Sequence, residues 1–145
     1  MTLQDLNKHL ALRQNLTDVQ DLYKQLEAKA APCGMNMDGM PHSTGISDKV
    51  GELATQLADL SVRIALLENQ VNESSRKVAA FINSIGDERT RTAFHLRFIG
   101  GFAWGEVADA LGNYTSEASV KARCYCYLRE IKKALPRHQI KTAQG

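Results

Sequence analysis

The strongest constraint on this chain is an apolar stripe that begins at Ile46 and continues for 40 residues. Its members are spaced alternately four and three residues apart, and only one of them, Ser74, is polar. They are Ile46, Val50, Leu53, Leu57, Leu60, Ile64, Leu67, Val71, Ser74, Val78, Phe81 and Ile85. Such a stripe is typical of coiled-coil packing. A helix of this length is about 60 Å long, so it needs a partner helix to cover its stripe.

The first thirty residues can supply that partner. They contain no glycine or proline, and they repeat the four-three spacing at Leu12, Leu16, Val19, Tyr23, Leu26 and Ala30. This predicts a helix over about 3–30 and a second over about 47–85, with Ser47 as its N-cap. The intervening loop, 31–46, holds three glycines and two prolines. Residues 1–85 are therefore predicted to form an antiparallel helical hairpin.

The predicted hairpin leaves part of the stripe uncovered. Its first helix is about three turns shorter than its second, so the stripe around Val78 and Ile85 has no partner within it. That surplus either packs on the C-terminal domain or pairs with a second copy of the chain. The second alternative is a homodimer through the long helix, and the sequence leaves both open.

Three shorter helices are predicted in residues 86–136. The segments "DERTRTAFHLRFI" and "WGEVADAL" are followed by a helix over about 116–135, and Gly100, Gly112 and Pro136 interrupt or end them. Two helices joined by a turn of about four residues, after a supporting helix, form a helix-turn-helix. The fold class is thus all-α: a long coiled-coil hairpin followed by a three-helix domain. Residues 137–145 are predicted to be a basic, flexible tail.

Charge is distributed unevenly between the two halves. Residues 1–85 carry 8 Lys and Arg against 10 Asp and Glu, whereas residues 86–145 carry 10 against 6. A basic end on a near-neutral body is the pattern of a protein that meets a polyanion. No apolar run approaches the roughly 20 residues of a membrane span, so no membrane partner is expected.

The last predicted helix offers the candidate DNA-binding residues. Opposite its apolar positions lie small side chains, with lysines and arginines flanking or extending them. An α-helix fits the major groove, where residues in its first turns approach the bases and flanking cations reach phosphates. Ser116, Glu117, Ser119 and Ala122 are expected nearest the bases, while Lys121, Arg123, Arg129 and Lys133 are expected to contact phosphates. Tyr125 completes the predicted face.

The sequence "RTAFHLRFIGGFAWGEVADALGNYTSEASVKARCYCYL" resembles region 4 of sigma-70-type factors. It is more similar still to phage-encoded ArpU- and RinA-like activators of late genes. "GMPHSTGISDKVGE" resembles the loop of a related phage family. The resemblance implies sequence-specific binding of double-stranded DNA, transcription control from a prophage, a location at the bacterial nucleoid in the cytoplasm, and contact with RNA polymerase. It also implies that Arg97 pairs with Glu106.

Two other functions are compatible with these patterns. One is a protein-interaction module that contacts RNA polymerase or another phage protein. The other is a DNA-packaging component similar to a small terminase subunit. An enzyme is not expected, because no carboxylate pair or Cys–His arrangement stands out. Neither a metal nor a cofactor is expected, since Cys124 and Cys126 lack a second ligand pair at zinc spacing.

Overall fold

The computed structural model describes residues 1–30 and 44–134, and every regular element among them is helical. The all-α fold class is therefore confirmed. The elements are α1 (Leu3–Ala30), α2 (Thr44–Asn83), α3 (Glu88–Phe94), a π-helical turn (His95–Ile99), α4 (Trp104–Leu111) and α5 (Glu117–Ala134). Within the described ranges, no helix has the length and apolarity needed to cross a membrane.

The predicted helix boundaries differ most at α2. This helix begins at Thr44 and ends at Asn83, so it starts three residues before the predicted 47 and stops two before the predicted 85. Ser47, predicted to be the N-cap, therefore lies within the helix. Residues 31–43 of the predicted loop and the predicted tail, 137–145, lie outside the described residues.

The described chain divides into two compact units. The first, called the helix-pair unit below, is Ala11–Asn72. The second, called the core unit, combines Met1–Leu10 with the chain from Glu73 onward. α1 and α2 each contribute to both units, because the division falls within each helix.

The helix-pair unit contains most of the predicted apolar stripe. Stripe residues from Leu53 to Val71 are half-buried, except Leu67, which is buried, as is Val19 of α1. Gln20 Nε2 donates to Glu68 Oε1 at 3.5 Å and so links the two helices directly. Partial burial is expected for two paired helices, because each apolar side chain packs against one neighbouring helix and is otherwise exposed to solvent.

The core unit is built around fully buried aromatic rings. Phe94 lies 5.8 Å from Phe81 and 5.7 Å from Phe98, measured between ring centroids, and Phe98 lies 6.1 Å from Trp104. Leu6 of α1 belongs to the same buried cluster. So do the stripe residues Val78 and Ile85, with Ile82 near the end of α2. The cluster also includes residues of α3, α4 and α5: Ala93, Val107, Ala108, Val120, Cys124 and Leu128. The surplus end of the stripe is therefore covered within the chain itself.

The polar member of the stripe also has a partner in the core unit. Ser74 Oγ lies 2.9 Å from Nδ1 of His9, whose side chain is completely buried. A buried polar group costs free energy unless it forms hydrogen bonds. Ser74 thus interrupts the apolar stripe at the position where α1 places a buried histidine.

Gly100 follows the π-helical turn, and two close contacts require a glycine at this position. The N–H of Gly100 donates to His95 O at 2.9 Å, which closes the π-helical turn. A Cβ on Gly100 would lie only 2.7 Å from Leu96 O and 2.8 Å from the Phe102 ring. Only glycine therefore fits where the chain turns from the π-helical segment towards α4.

Candidate nucleic-acid interface

The turn between α4 and α5 has an unusual backbone. Gly112 has φ 62° and ψ −158°, a conformation that is essentially restricted to glycine. Asn113 and Tyr114 follow with φ of 56° and 57°. The N–H of Gly112 donates to Ala108 O at 3.1 Å and so ends α4. Three successive residues with positive φ thus reverse the chain within a few residues.

Hydrogen bonds from the turn itself and from α3 hold this reversal. Thr115 Oγ1 donates to Gly112 O at 2.6 Å. From α3, Arg89 Nη2 donates to Thr115 Oγ1 at 2.6 Å and lies 3.5 Å from Gly112 O. The sequence did not predict this role for Arg89, because its hydrogen-bond partners lie 23 and 26 residues away in the chain. Arg89 fixes the turn to the supporting helix.

Asp87 caps the supporting helix. Its carboxylate accepts hydrogen bonds from the hydroxyl and the backbone N–H of Thr90, the latter at 3.0 Å. These bonds lower the pKa of Asp87 below its usual value, and the positive charge of Arg123 on α5 lowers it further. The charge of Arg123 on α5 therefore adds to the stabilisation of the Asp87 carboxylate at the start of α3.

The two helices of the candidate interface begin differently. Ser116 caps α5, since its Oγ accepts from the N–H of Ser119 at 3.1 Å. At α4, Glu106 Oε2 accepts from the N–H of Ala103 at 2.8 Å, which is half of a capping box because alanine offers no side-chain acceptor.

Arg97 does not pair with Glu106 as the resemblance implied, and no ion pair joins these two described residues. Its guanidinium instead donates to Phe102 O at 2.9 Å and lies 5.2 Å from the centroid of the Trp104 ring. Trp104 is only 8% exposed and belongs to the buried cluster of the core unit.

The predicted DNA-binding residues lie along one helix, whose buried residues are Val120, Cys124 and Leu128. Eight belong to α5, and Ser116 immediately precedes it. Lys133 lies in the last turn. All are exposed except Tyr125: they are Ser116, Glu117, Ser119, Lys121, Ala122, Arg123, Arg129 and Lys133. The geometry brings the predicted set together, and what it contacts stays a prediction.

Tyr125 is half-buried because its ring continues a stack that starts in the core. Its centroid lies 6.1 Å from that of Trp104, with the two rings at 90°. Lys121 Nζ lies 5.8 Å from the Tyr125 centroid on this flank of α5, a distance at which a cation is attracted to the ring face. The Tyr125 ring thus lies between Trp104 of the core and the Lys121 side chain.

The two cysteines of α5 have opposite environments. Cys124 is fully buried, and this burial raises the pKa of its thiol to about 12. Cys126 is exposed on the same side as Ala122 and Arg129. Among the residues described, no group of three His, Cys, Asp or Glu side chains could hold a metal ion.

Compared with protein-family models, with curated proteins and with solved structures, the chain matches none of them.

Proposed function

We propose that this chain is a sequence-specific DNA-binding regulator of transcription. In this proposal α3, α4 and α5 form a helix-turn-helix, and α5 enters the major groove of double-stranded DNA. The observation that carries the proposal is the tight turn at 112–116, which leaves α5 with a buried stripe on one side and an exposed, basic side on the other.

The exposed side of α5 suits a groove in two ways. Near its start, Ser119 and Ala122 are small, so the backbone can approach base edges closely. Along the helix, five lysines and arginines stand against two glutamates. Cations reach phosphates on either side of the groove and orient the protein, while contacts with base edges select the sequence.

The proposal also covers the two long helices and the cell in which the protein acts. Residues 1–85 form a coiled-coil hairpin that contacts RNA polymerase or a second copy of the chain. The half-buried stripe of the helix-pair unit supports the hairpin, since a seam of this kind is what two long amphipathic helices produce. The resemblance to sigma-70 region 4 and to phage late-gene activators supports a prophage regulator acting in the bacterial cytoplasm.

The test is selection from random duplexes, followed by a salt titration on the enriched sequence. Lys133→Gln should weaken binding to all sequences and lower the salt slope by about one unit. Ser119→Trp should instead change the preferred sequence or abolish specific binding alone. The matched control is Lys24→Gln, which removes an exposed cation from the helix-pair unit and should leave affinity unchanged.

Two outcomes would contradict this proposal. If no sequence is enriched and Lys133→Gln binds duplexes as well as the parent, α5 is not a DNA-reading helix. The protein-interaction module then becomes the better interpretation. A closed ring of many subunits in sedimentation would favour the packaging component instead.

A further inference from the structure

A groove lies between the first two turns of α1 and the second half of α5, within the core unit. Its volume is about 670 Å³. That volume falls in the range of pockets that hold small ligands or several side chains. Leu3, Gln4 and Asn7 line it from α1, and Tyr125, Arg129 and Lys132 line it from α5.

The groove combines an apolar floor with a cationic edge. Leu128, which is buried, and Leu3 and Tyr125, which are half-buried, provide apolar surface. Arg129 and Lys132 are exposed and bring two positive charges to the side formed by α5. Residues 125–132 of α5 extend about 10 Å, so the groove matches roughly two turns of helix.

We propose that this groove is a docking site for an acidic segment of a partner protein that carries bulky apolar side chains. Two or three such side chains would cover the leucine floor, and flanking carboxylates would lie beside Arg129 and Lys132. The cationic edge calls for carboxylates in the occupant, by charge complementarity. The adjacent apolar surface calls for bulky apolar side chains as well, because a carboxylate alone would not cover it.

Two other occupants fit the groove less well. A DNA backbone supplies the negative charge but offers no large apolar group for the leucine floor. The chain's own residues 135–145 contain Arg137, His138 and Lys141 and no carboxylate side chain, so they carry the same sign of charge as the edge of the groove.

The experiment is a selection of 12-residue peptides from a random phage-displayed library against the full chain. The winning peptide is then synthesised, labelled with fluorescein and titrated by fluorescence anisotropy. We expect enriched peptides to combine at least two acidic residues with at least two of Leu, Ile, Phe or Trp. Their binding should weaken as salt rises, because exposed charges are screened.

Two adjacent lysines give a matched pair of variants. Lys132 lines the groove, whereas Lys133, also exposed and in the same last turn of α5, does not. Lys132→Glu should weaken peptide binding roughly five- to tenfold, because an attraction becomes a repulsion. Lys133→Glu should change it less than about twofold. Asn7→Trp provides a variant without charge change: its ring would occupy the groove and compete with the peptide.

The same variants separate this proposal from the DNA-binding proposal. Under both, Lys133→Glu weakens duplex binding and Lys132→Glu weakens peptide binding. If Lys133→Glu leaves duplex binding unchanged while Lys132→Glu still weakens peptide binding, the DNA-binding proposal is rejected and the groove proposal stands. The groove proposal is overturned if no acidic apolar peptide is enriched, or if the enriched peptide binds Lys132→Glu as tightly as the parent. It is also overturned if a 20-base-pair duplex displaces the peptide from the parent chain and from Lys133→Glu equally, because the occupant would then be nucleic acid.

Discussion

The helix-pair unit and the core unit use the same helices α1 and α2 but bury their side chains to different extents. In the helix-pair unit, Leu67 and Val19 are buried, while the other stripe residues between 53 and 71 remain half-exposed. In the core unit, Phe94, Val107 and Cys124 are fully buried. The difference arises because two paired helices cover one face each, whereas helices converging from several directions enclose a side chain completely.

This difference implies that the two units carry unequal shares of the stability. Each buried side chain contributes about 1.5 to 3 kcal/mol relative to an exposed one, so half-buried positions contribute less. Segments with few buried apolar contacts open at lower free energy than enclosed cores. We therefore expect the helix-pair unit to unfold before the core unit. The single tryptophan, Trp104, reports on the core unit, while circular dichroism reports on all helices.

Phe94→Ala should have the largest effect. The Phe94 ring is completely buried, and its centroid lies within 6 Å of the ring centroids of Phe81, Phe98 and Tyr127. Its loss therefore leaves a cavity. The free energy of unfolding should fall by about 3 to 5 kcal/mol, measured by urea titration with Trp104 fluorescence. A loss below about 1 kcal/mol would mean that this aromatic cluster does not form the centre of the core unit.

Leu67→Ala tests the helix-pair unit, with Leu66→Ala as its matched control. Leu67 is 7% exposed and Leu66 is 60% exposed, so the same chemical change is made at neighbouring positions of one helix. Leu67→Ala should cost about 2 to 3 kcal/mol and Leu66→Ala less than about 0.5 kcal/mol. In Leu67→Ala, the unfolding transition followed by circular dichroism should begin at a lower urea concentration than the transition followed by Trp104 fluorescence. Coincident transitions with both probes would show that the two units unfold as one.

A pair of glycine substitutions should act in opposite directions. Gly112→Ala should destabilise the core unit by about 1 to 3 kcal/mol, because its backbone conformation is restricted to glycine. Gly105→Ala should stabilise it by about 0.5 to 1 kcal/mol, because α4 gains a better helix former. The new Cβ at 105 would lie 3.6 Å from Glu117 Oε2, an ordinary contact. Thermal melting of both variants checks the prediction, and effects of equal sign would contradict it.

Ser74→Ala should have the smallest effect of the destabilising set. It removes the hydroxyl that lies 2.9 Å from His9 Nδ1, at a cost of about 1 kcal/mol. Ser61→Ala, at an exposed position of the same helix, should be neutral or slightly stabilising. The difference between the two free energies of unfolding, measured by urea titration, sharpens the comparison because it isolates the one polar contact within the apolar stripe. Equal effects would show that the His9 contact adds no stability.

The sequence predicted most of the helices, because their signals are local. The four-three stripe predicted α2 to within three residues at each end, and Gly112 correctly marked the end of α4. The predicted start of the last helix at about 116 lies one residue from the observed Glu117. Thr44 was missed as the start of α2, since the glycine and proline signals around it favoured a loop. The π-helical turn at His95–Ile99 was also missed, because its apolar pattern resembles that of an ordinary helix.

The composition of the candidate interface was predicted, but the groove beside it was not. Side chains of α5 could be assigned to a buried or an exposed face from their 3.6-residue period alone. Lys132 showed no sign of a separate role, since its position beside Asn7 depends on residues more than 120 positions apart in the chain. The same limit applies to Arg89, whose contact with Thr115 connects two elements.

The amino-acid sequence by itself determined that this protein is all-helical, where its helices run and which side of each is apolar. These properties follow from hydrogen bonds and side-chain periodicity within a few residues of one another. Only the tertiary structure decided that His9 meets Ser74, that the end of α2 enters the C-terminal core and that Tyr125 packs edge-to-face on Trp104. Those contacts depend on how several helices share one buried volume, and no local pattern specifies which apolar faces will meet.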